Sequence, residues 1–426
     1  LDKFIIKGGT PLRGEIPISG SKNGALPLMA AALLGDGPTT ISNIPRLNDI
    51  YTFSNVIRGT GTEVHFDEPG NTLTIDPSGL NLAEASYDLV RKMRASFYML
   101  GALLGRVGHA RVSLPGGCAW GPRPVNLHLE GLKALGAEIE MDGGYVVAKA
   151  TGGRLQGGTF LMEPSSVGAT VNLVLAASTA RGKSVLHNSA IEPDVVVLCN
   201  ALASMGAQIE GIGTHTLTIQ GVEQLHSAEL MNAPDRIETG TFMIAAAMHP
   251  ESELTLTGTD PSDLGYFTEM FMKTGALVSI DGSSIHVKAP ERIQAVSIKT
   301  QVYPGFPTDL QAQWATMLTL ADGTASVTDT IYTDRFSYVP ELVRLGADLH
   351  VEGNLVMVKG PSILKGASVM STDLRASVSL VMAAMVAQGT SEVLRVYHLD
   401  RGYETLEHKL NKVGAQIIRS KDLQPS

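Results

Sequence analysis

Leu135-Gly-Ala-Glu-Ile139 is one of six copies of a phrase that recurs along the whole chain. The others are Gly61-Thr-Glu-Val64, Met205-Gly-Ala-Gln-Ile209, Gly275-Ala-Leu-Val278, Leu345-Gly-Ala-Asp-Leu349 and Val413-Gly-Ala-Gln-Ile417. Successive glycines lie about 68 to 75 residues apart, the fixed spacing of a repeat architecture. Each copy follows a helix-like segment and opens a β-branched one. The glycine therefore reads as the residue just past a helix end, where the chain turns into a strand.

A second phrase keeps the same rhythm: a small polar or charged start, an almost wholly apolar helix, a breaker, then a strand. Its copies begin near Ser21, Arg94, Ser166, Glu238, Asp309 and Asp373. A helix apolar on nearly every side is a buried helix. The fold class predicted is thus α/β, with six repeated αβ units, three per domain, each built around a buried central helix. Hinges near Ser19–Ser21 and Asn232–Asp235 would separate two domains. One comprises residues 1–21 plus 234–426, on the catalytic side, and is completed by the N-terminal strand. The other comprises residues 22–233 and carries a loop around Cys118.

The 426 residues are 44% hydrophobic and 18% charged, ordinary for a globular protein and too many for one core. A net charge of −9 gives no support to nucleic acid or a membrane surface as partner. With only Cys118 and Cys199, and no His/Cys cluster at ligand spacing, neither a disulfide framework nor a metal site is expected. The stretch Leu1–Lys7 is too short and charged for a signal peptide, and no apolar run reaches membrane-spanning length. The expected location is the cytoplasm. Composition sets no oligomeric state.

An apolar buried helix needs few polar groups, so those at its start call for explanation. They are Lys22-Asn23, Arg94, Ser165-Ser166, Asp235-Arg236-Glu238, Thr308-Asp309 and Asp373-Arg375. Helix N-termini present unpaired N–H groups and suit phosphate or carboxylate. Ordinary N-capping accounts equally well for Ser21, Ser166, Thr308 and Asp373. It does not account for Lys22 or Arg94, because a cation there opposes the helix dipole and asks for a compensating anion. Between the strand pattern at 110–114 and Val125 lies Ser113-Leu-Pro-Gly-Gly-Cys118-Ala-Trp-Gly-Pro-Arg123-Pro-Val125. Its flexible entry, stiff exit and central thiol read either as a lid bearing a reactive group or as a surface turn with an incidental cysteine.

Nine motifs in chain order carry a resemblance. They are Ser19-Gly-Ser-Lys22-Asn23-Gly-Ala-Leu-Pro27, Met93-Arg94-Ala-Ser96, Leu114-Pro-Gly-Gly-Cys118, Gly121-Pro-Arg123-Pro124, Ser166-Val-Gly-Ala-Thr170, Pro234-Asp-Arg-Ile-Glu-Thr-Gly240, Phe306-Pro-Thr-Asp309, Thr372-Asp-Leu-Arg375-Ala-Ser377 and Asp400-Arg401-Gly-Tyr-Glu404. Together they resemble the UDP-N-acetylglucosamine 1-carboxyvinyltransferases of the enolpyruvyl transferase family, over essentially the whole chain. The resemblance implies a two-domain inverse α/β barrel. It also implies transfer of the enolpyruvyl group of phosphoenolpyruvate to the 3′-hydroxyl of UDP-GlcNAc with release of phosphate, the first committed step of peptidoglycan synthesis. No cofactor or metal is implied.

By the same resemblance Cys118 is the general acid, the site of a covalent phosphoenolpyruvate adduct and the target of fosfomycin. Asp309 is a base on the hydroxyl, or acts on it through position alone. Lys22, Arg123 and Arg401 hold phosphate and carboxylate, with Arg94 beside the nucleotide's phosphates or at the rim. Asn23 lies near the reacting centre. Arg123, Pro124, Val125, Asn126 and Leu127, with Ser166, Val167, Gly168 and Ile331, line the UDP-GlcNAc site, while Asp373 and Arg375 form a supporting pair. Asn126 stands where the family usually has Asp, Pro164 where some members have Lys, and Tyr98 in a place often held by Trp. Two other readings stay open here: a 3-phosphoshikimate 1-carboxyvinyltransferase, and a non-catalytic paralogue that senses UDP-GlcNAc.

Overall fold

The computed structural model describes residues 2–91, 93–115 and 125–421. All six glycines of the repeated phrase take a positive φ, from 90° at Gly61 to 114° at Gly414. A residue with a Cβ is strained there, and glycine is not. Each glycine follows an outer helix, namely Asn48–Arg58, Asn126–Ala134, Pro193–Ser204, Phe267–Met272, Val339–Arg344 or Leu406–Lys412, and leads into a strand. The periodic glycines are thus helix stops, as their spacing implies.

The chain divides into two compact units, Leu1–Ser19 with Pro234–Ser426, and Gly20–Ala233. Among the described residues there are six four-stranded sheets, each with one parallel and two antiparallel pairings. The parallel pairing needs a crossover, which in four of the sheets contains one inner helix. In one repeat Thr159–Leu161 runs beside Lys183–His187, with helix Val167–Ala177 between them in sequence. The outer helix then leads into a hairpin that completes the sheet.

Distant segments close two of these sheets and a third. In the unit Gly20–Ala233, strand Glu229–Met231 lies parallel to Thr39–Ser42, with Leu230 opposite Ile41. In the other unit, Arg13–Pro17 lies parallel to Glu253–Thr257. Strand Asp2–Lys7 inserts antiparallel between Thr390–Leu394 and Gln416–Lys421, with Phe4 opposite Val393.

The inner helices are Lys22–Ala32, Met99–Val107, Val167–Ala177, Arg236–Ala247, Gln311–Leu318 and Leu374–Val386. Their side chains are buried almost all round, as the absence of a polar stripe requires. Hydroxyl residues inside them bond back to their own helix, as Thr241 Oγ1 does to Ile237 O and Thr316 Oγ1 to Ala312 O, both at 2.8 Å. On the inner helix Gln311–Leu318, Trp314 meets Phe267 and Phe306 edge-on, and its Nε1 donates to Val296 O at 2.9 Å. No helix among the described residues is long and apolar enough to cross a membrane.

Phe267 is fully buried and touches Phe271, Phe306 and Trp314. Phe267→Ala should lower the unfolding free energy by about 3–5 kcal/mol, read from urea denaturation. A loss under about 1 kcal/mol would contradict this account of the core.

Candidate active site

In the unit Gly20–Ala233 the polar helix starts form one cluster and one ion pair. Ser21 caps helix Lys22–Ala32: its Oγ accepts from Gly24 N at 3.0 Å and donates to Asp194 Oδ1 at 3.2 Å. Lys22 Nζ lies 3.1 Å from Asp49 Oδ2, with both side chains largely buried. The anion that Lys22 demands is therefore supplied, in this structure, by Asp49 on the first outer helix. Asn23 is exposed at the helix start. Pro27 lacks an N–H, so residue 27 donates nothing to the carbonyl of Asn23.

The second group gathers round His128, which the sequence reading passed over. Its Nδ1 faces Asn172 Nδ2 at 2.8 Å, and the amide can only donate there. Asn172 also donates to Phe97 O at 3.1 Å and accepts from Gly101 N at 2.8 Å, so its amide orientation follows from its partners. The ring proton of His128 accordingly sits on Nε2. A Cβ added at Gly168 would meet His128 Cε1 and Nε2 at 3.1 and 3.2 Å. Burial, and then the nearby Arg94 guanidinium, push the imidazole down to about 3. Arg94, the Val125–Leu127 entry to helix Asn126–Ala134 and the Ser166–Gly168 entry to helix Val167–Ala177 are thus brought together about one neutral histidine. Ser166 also caps its helix, accepting from Ala169 N at 3.2 Å. Cys118, Arg123 and Pro124 lie outside the described residues.

In the other unit the centre is Asp309, in the short turn Thr308–Leu310 before helix Gln311–Leu318. Arg335 Nη1 donates to its Oδ1 at 2.8 Å and Arg375 Nη2 to its Oδ2 at 3.0 Å. Burial alone would raise the Asp309 carboxyl, but the guanidiniums of Arg375 and Arg335 outweigh it and hold it well below the usual carboxylate range. Arg375 Nη1 also donates to Tyr403 OH at 3.2 Å, and that hydroxyl shares a 2.8 Å bond with Thr241 Oγ1. Gln313 Nε2 donates to the carbonyl of Asp309 at 2.9 Å. The carboxylate is ionised, oriented and a weak proton acceptor.

Two expectations need correction. Arg375 pairs with Asp309 and not with Asp373, whose Oδ1 instead caps helix Leu374–Val386 by accepting from the N–H groups of Arg375 and Ala376. Thr308 is no N-cap: its hydroxyl donates to Asp329 Oδ2 at 2.7 Å. Arg401 ends the turn Val396–Arg401, beside Asp400, which Arg419 grips through two bonds of 3.0 and 2.7 Å. Burial first, then the charges of Arg401 and Arg395 acting against Asp373, lower the titration of His398. Ile331 is 37% exposed, with its N–H bonded to Asp329 Oδ1. Arg335 and Asp329 carried no sequence signal, since neither stands at an apolar helix start or in a Gly/Pro-punctuated loop, whereas Tyr403 stands beside Gly402 in the Asp400–Glu404 motif, which by itself assigns it no role.

Residues 6–410 match the family described as EPSP synthase (3-phosphoshikimate 1-carboxyvinyltransferase). The enolpyruvyl transferase NikO from Streptomyces tendae superposes with a TM-score of 0.89 at 27% identity, covering 98% of this chain and 99% of that one. EPSP synthase from Acinetobacter baumannii, 18% identical with a TM-score of 0.76 over 99% of this chain and 100% of that one, shares the fold. Proteins named UDP-N-acetylglucosamine 1-carboxyvinyltransferase are more similar in sequence. That of Chlorobium phaeovibrioides is 51% identical over 99% of both chains, and that of Sphingopyxis alaskensis 50% identical over 98% of this chain and 99% of its own. The chain belongs to the enolpyruvyl transferase family and, within it, to the UDP-N-acetylglucosamine 1-carboxyvinyltransferases.

Because the folded-state value of His128 lies below its ordinary 6.5, the unfolded chain takes up this proton first as pH falls. Its contribution to stability is present above about pH 6.5 and is lost as pH falls toward 3. Wild-type protein should lose about 2 kcal/mol more unfolding free energy between pH 7 and pH 5 than His128→Gln. Urea titrations at the two pH values measure this, and equal losses would contradict it.

Proposed function

We propose that the protein transfers the enolpyruvyl group of phosphoenolpyruvate to the 3′-hydroxyl of UDP-N-acetylglucosamine, releasing inorganic phosphate, in the cytoplasm as the first committed step of peptidoglycan synthesis. The observation that carries the reading is the Asp309 carboxylate held between Arg335 and Arg375, in a chain half identical end to end to relatives of that name.

In the addition step the acceptor oxygen bonds to C2 of phosphoenolpyruvate while a proton arrives at the C3 methylene. The double-bond electrons take up that proton, giving a tetrahedral phosphate ketal. Elimination then breaks the C2–O bond to phosphate and removes a proton from C3, restoring the double bond on the transferred group, and the proton given up by the acceptor hydroxyl leaves on the released phosphate. Cys118 is assigned the proton delivery, a task for which a thiol is a tunable acid, and its thiolate can hold phosphoenolpyruvate covalently. Lys22, Arg123 and Arg401 are assigned to the phosphate and carboxylate, where charge-assisted bonds are strong. For Lys22 this means exchanging or sharing Asp49 for the substrate anion.

Asp309 is assigned the acceptor hydroxyl. Its basicity is held down by two guanidiniums, which favours orientation of the hydroxyl over complete proton removal before attack. Asn23 is assigned to the reacting centre, and Arg94, Val125 to Leu127, Ser166 to Gly168 and Ile331 to the nucleotide sugar.

Purified protein should release phosphate from phosphoenolpyruvate with UDP-GlcNAc and not with shikimate 3-phosphate. Release only with the shikimate acceptor would overturn the reading. Asp309→Asn, which keeps the shape and removes the charge, should lower kcat about a hundredfold or more. Fosfomycin should alkylate Cys118 and leave Cys199 untouched, since burial pushes the Cys199 thiol up to about 12. Peptide mass mapping with the label on Cys199 would contradict the assignment.

A further inference from the structure

We propose that Asp329 is a positioning residue that ties the acceptor-binding turn to the Asp309 carboxylate. The proposal rests on the acceptor reading above and extends it. Asp329 is fully buried and directly follows strand Gly323–Thr328. Its Oδ1 accepts three bonds, from Thr300 Oγ1 at 2.8 Å and from the N–H groups of Ile331 and Tyr332 at 2.9 Å each. Its Oδ2 accepts from Thr308 Oγ1 at 2.7 Å. The backbone is pinned as well: its N–H donates to Asn354 O at 2.9 Å and its carbonyl accepts from Asn354 Nδ2 at 3.2 Å.

The two carboxylate oxygens hold different things. Oδ1 fixes the turn that presents Ile331. Oδ2 fixes Thr308, whose oxygen accepts from Arg335 Nη1 at 3.2 Å, and the same nitrogen donates to Asp309 Oδ1 at 2.8 Å. Thr308 also directly precedes Asp309 in the chain. One buried carboxylate therefore sets the acceptor turn and, through a threonine and an arginine, the carboxylate that meets the acceptor hydroxyl.

An Asp whose side chain accepts from the N–H groups two and three residues further on is an ordinary turn device. That device has no use for Oδ2. The link through Thr308 to Arg335 is what a turn alone does not require. It also explains the need for a carboxylate: an Asn here would aim an N–H at Thr308 Oγ1, which already accepts from Arg335 and would be left without an acceptor for its own proton.

The test is a kinetic series on the full-length protein, with kcat and the KM for each substrate measured by phosphate release. Asp329→Ala cuts both arms and should raise the KM for UDP-GlcNAc about tenfold and lower kcat about tenfold, with the KM for phosphoenolpyruvate within about twofold of wild type. Asp329→Asn and Thr308→Val cut only the Oδ2 arm. Each should lower kcat about fivefold with the KM for UDP-GlcNAc near wild type, and the double variant should be no worse than either single one.

A merely structural role predicts lower kcat in proportion to lost folded protein, with both KM values unchanged in Asp329→Ala. That outcome overturns the proposal, as do multiplied effects in the double variant. If Asp329→Ala does not fold, the cycle of Asp329→Asn with Thr308→Val decides alone. Wild-type protein that releases no phosphate with UDP-GlcNAc overturns the reaction reading together with this proposal. An active wild type whose variants behave independently overturns only the proposal.

Discussion

A helix that is apolar around its whole circumference persists in water only when other elements cover it on every side. Six such helices, from Lys22–Ala32 to Leu374–Val386, impose that constraint on this chain. Each repeat responds with a four-stranded sheet and an outer helix, and distant segments fill the strands that local sequence does not supply. Arg13–Pro17 and Glu229–Met231 exist as strands because sheets some 190 to 240 residues away along the chain lack an edge. The interior of each inner helix is closed to chemistry. Charged groups gather mainly where the helix begins, and there the unpaired N–H groups already favour anions.

Within that frame the electrostatics of the two units differ. In one, Asp309 is kept ionised by two guanidiniums, a buried arrangement whose desolvation is offset only because both oxygens are paired and the arginines have further partners in Tyr403 and Thr308. In the other, His128 is kept neutral by burial and by the nearby Arg94 charge, with Asn172 fixing which nitrogen bears the proton. A fixed negative carboxylate and a fixed neutral imidazole are thus set by the packing within each unit. Glu238 is a third group shifted by its surroundings: burial pushes it up to about 7 against the opposing pull of Lys409, its bonded partner.

The fold was legible because its determinants are local and repeated. A glycine past each helix end and an all-apolar run after each polar start specify helix, stop and strand from neighbouring residues alone, and six copies reinforce one another. Part of the site was legible for the same reason, since Asp309 and Arg375 stand at such starts and meet through a 3.0 Å bond. Arg335 and Asp329 were not, because Arg335 meets Asp309 and Asp329 meets Thr308 across more than 20 residues of chain, pairings chosen by packing. Asp49 was missed likewise. It removes the argument that Lys22 must await an external anion, an inference that considered only the helix Lys22 belongs to. The Asp373–Arg375 pair that the resemblance implies does not form, because the helix start takes the Asp373 carboxylate for its own N–H groups. The cap uses the Asp373 side chain and frees the Arg375 guanidinium for Asp309.

By itself the sequence determined the α/β class, the six-unit period, the buried inner helices and the residue types available for anion chemistry, because periodicity, glycine backbone freedom and apolar patterning act over a few residues. Tertiary structure alone decided which charges neutralise which, that Asp309 is a weak base, that His128 is neutral, and that Asp329 reaches Thr308. Those properties depend on burial and on distances between side chains far apart in the chain, and neither is encoded in local spacing.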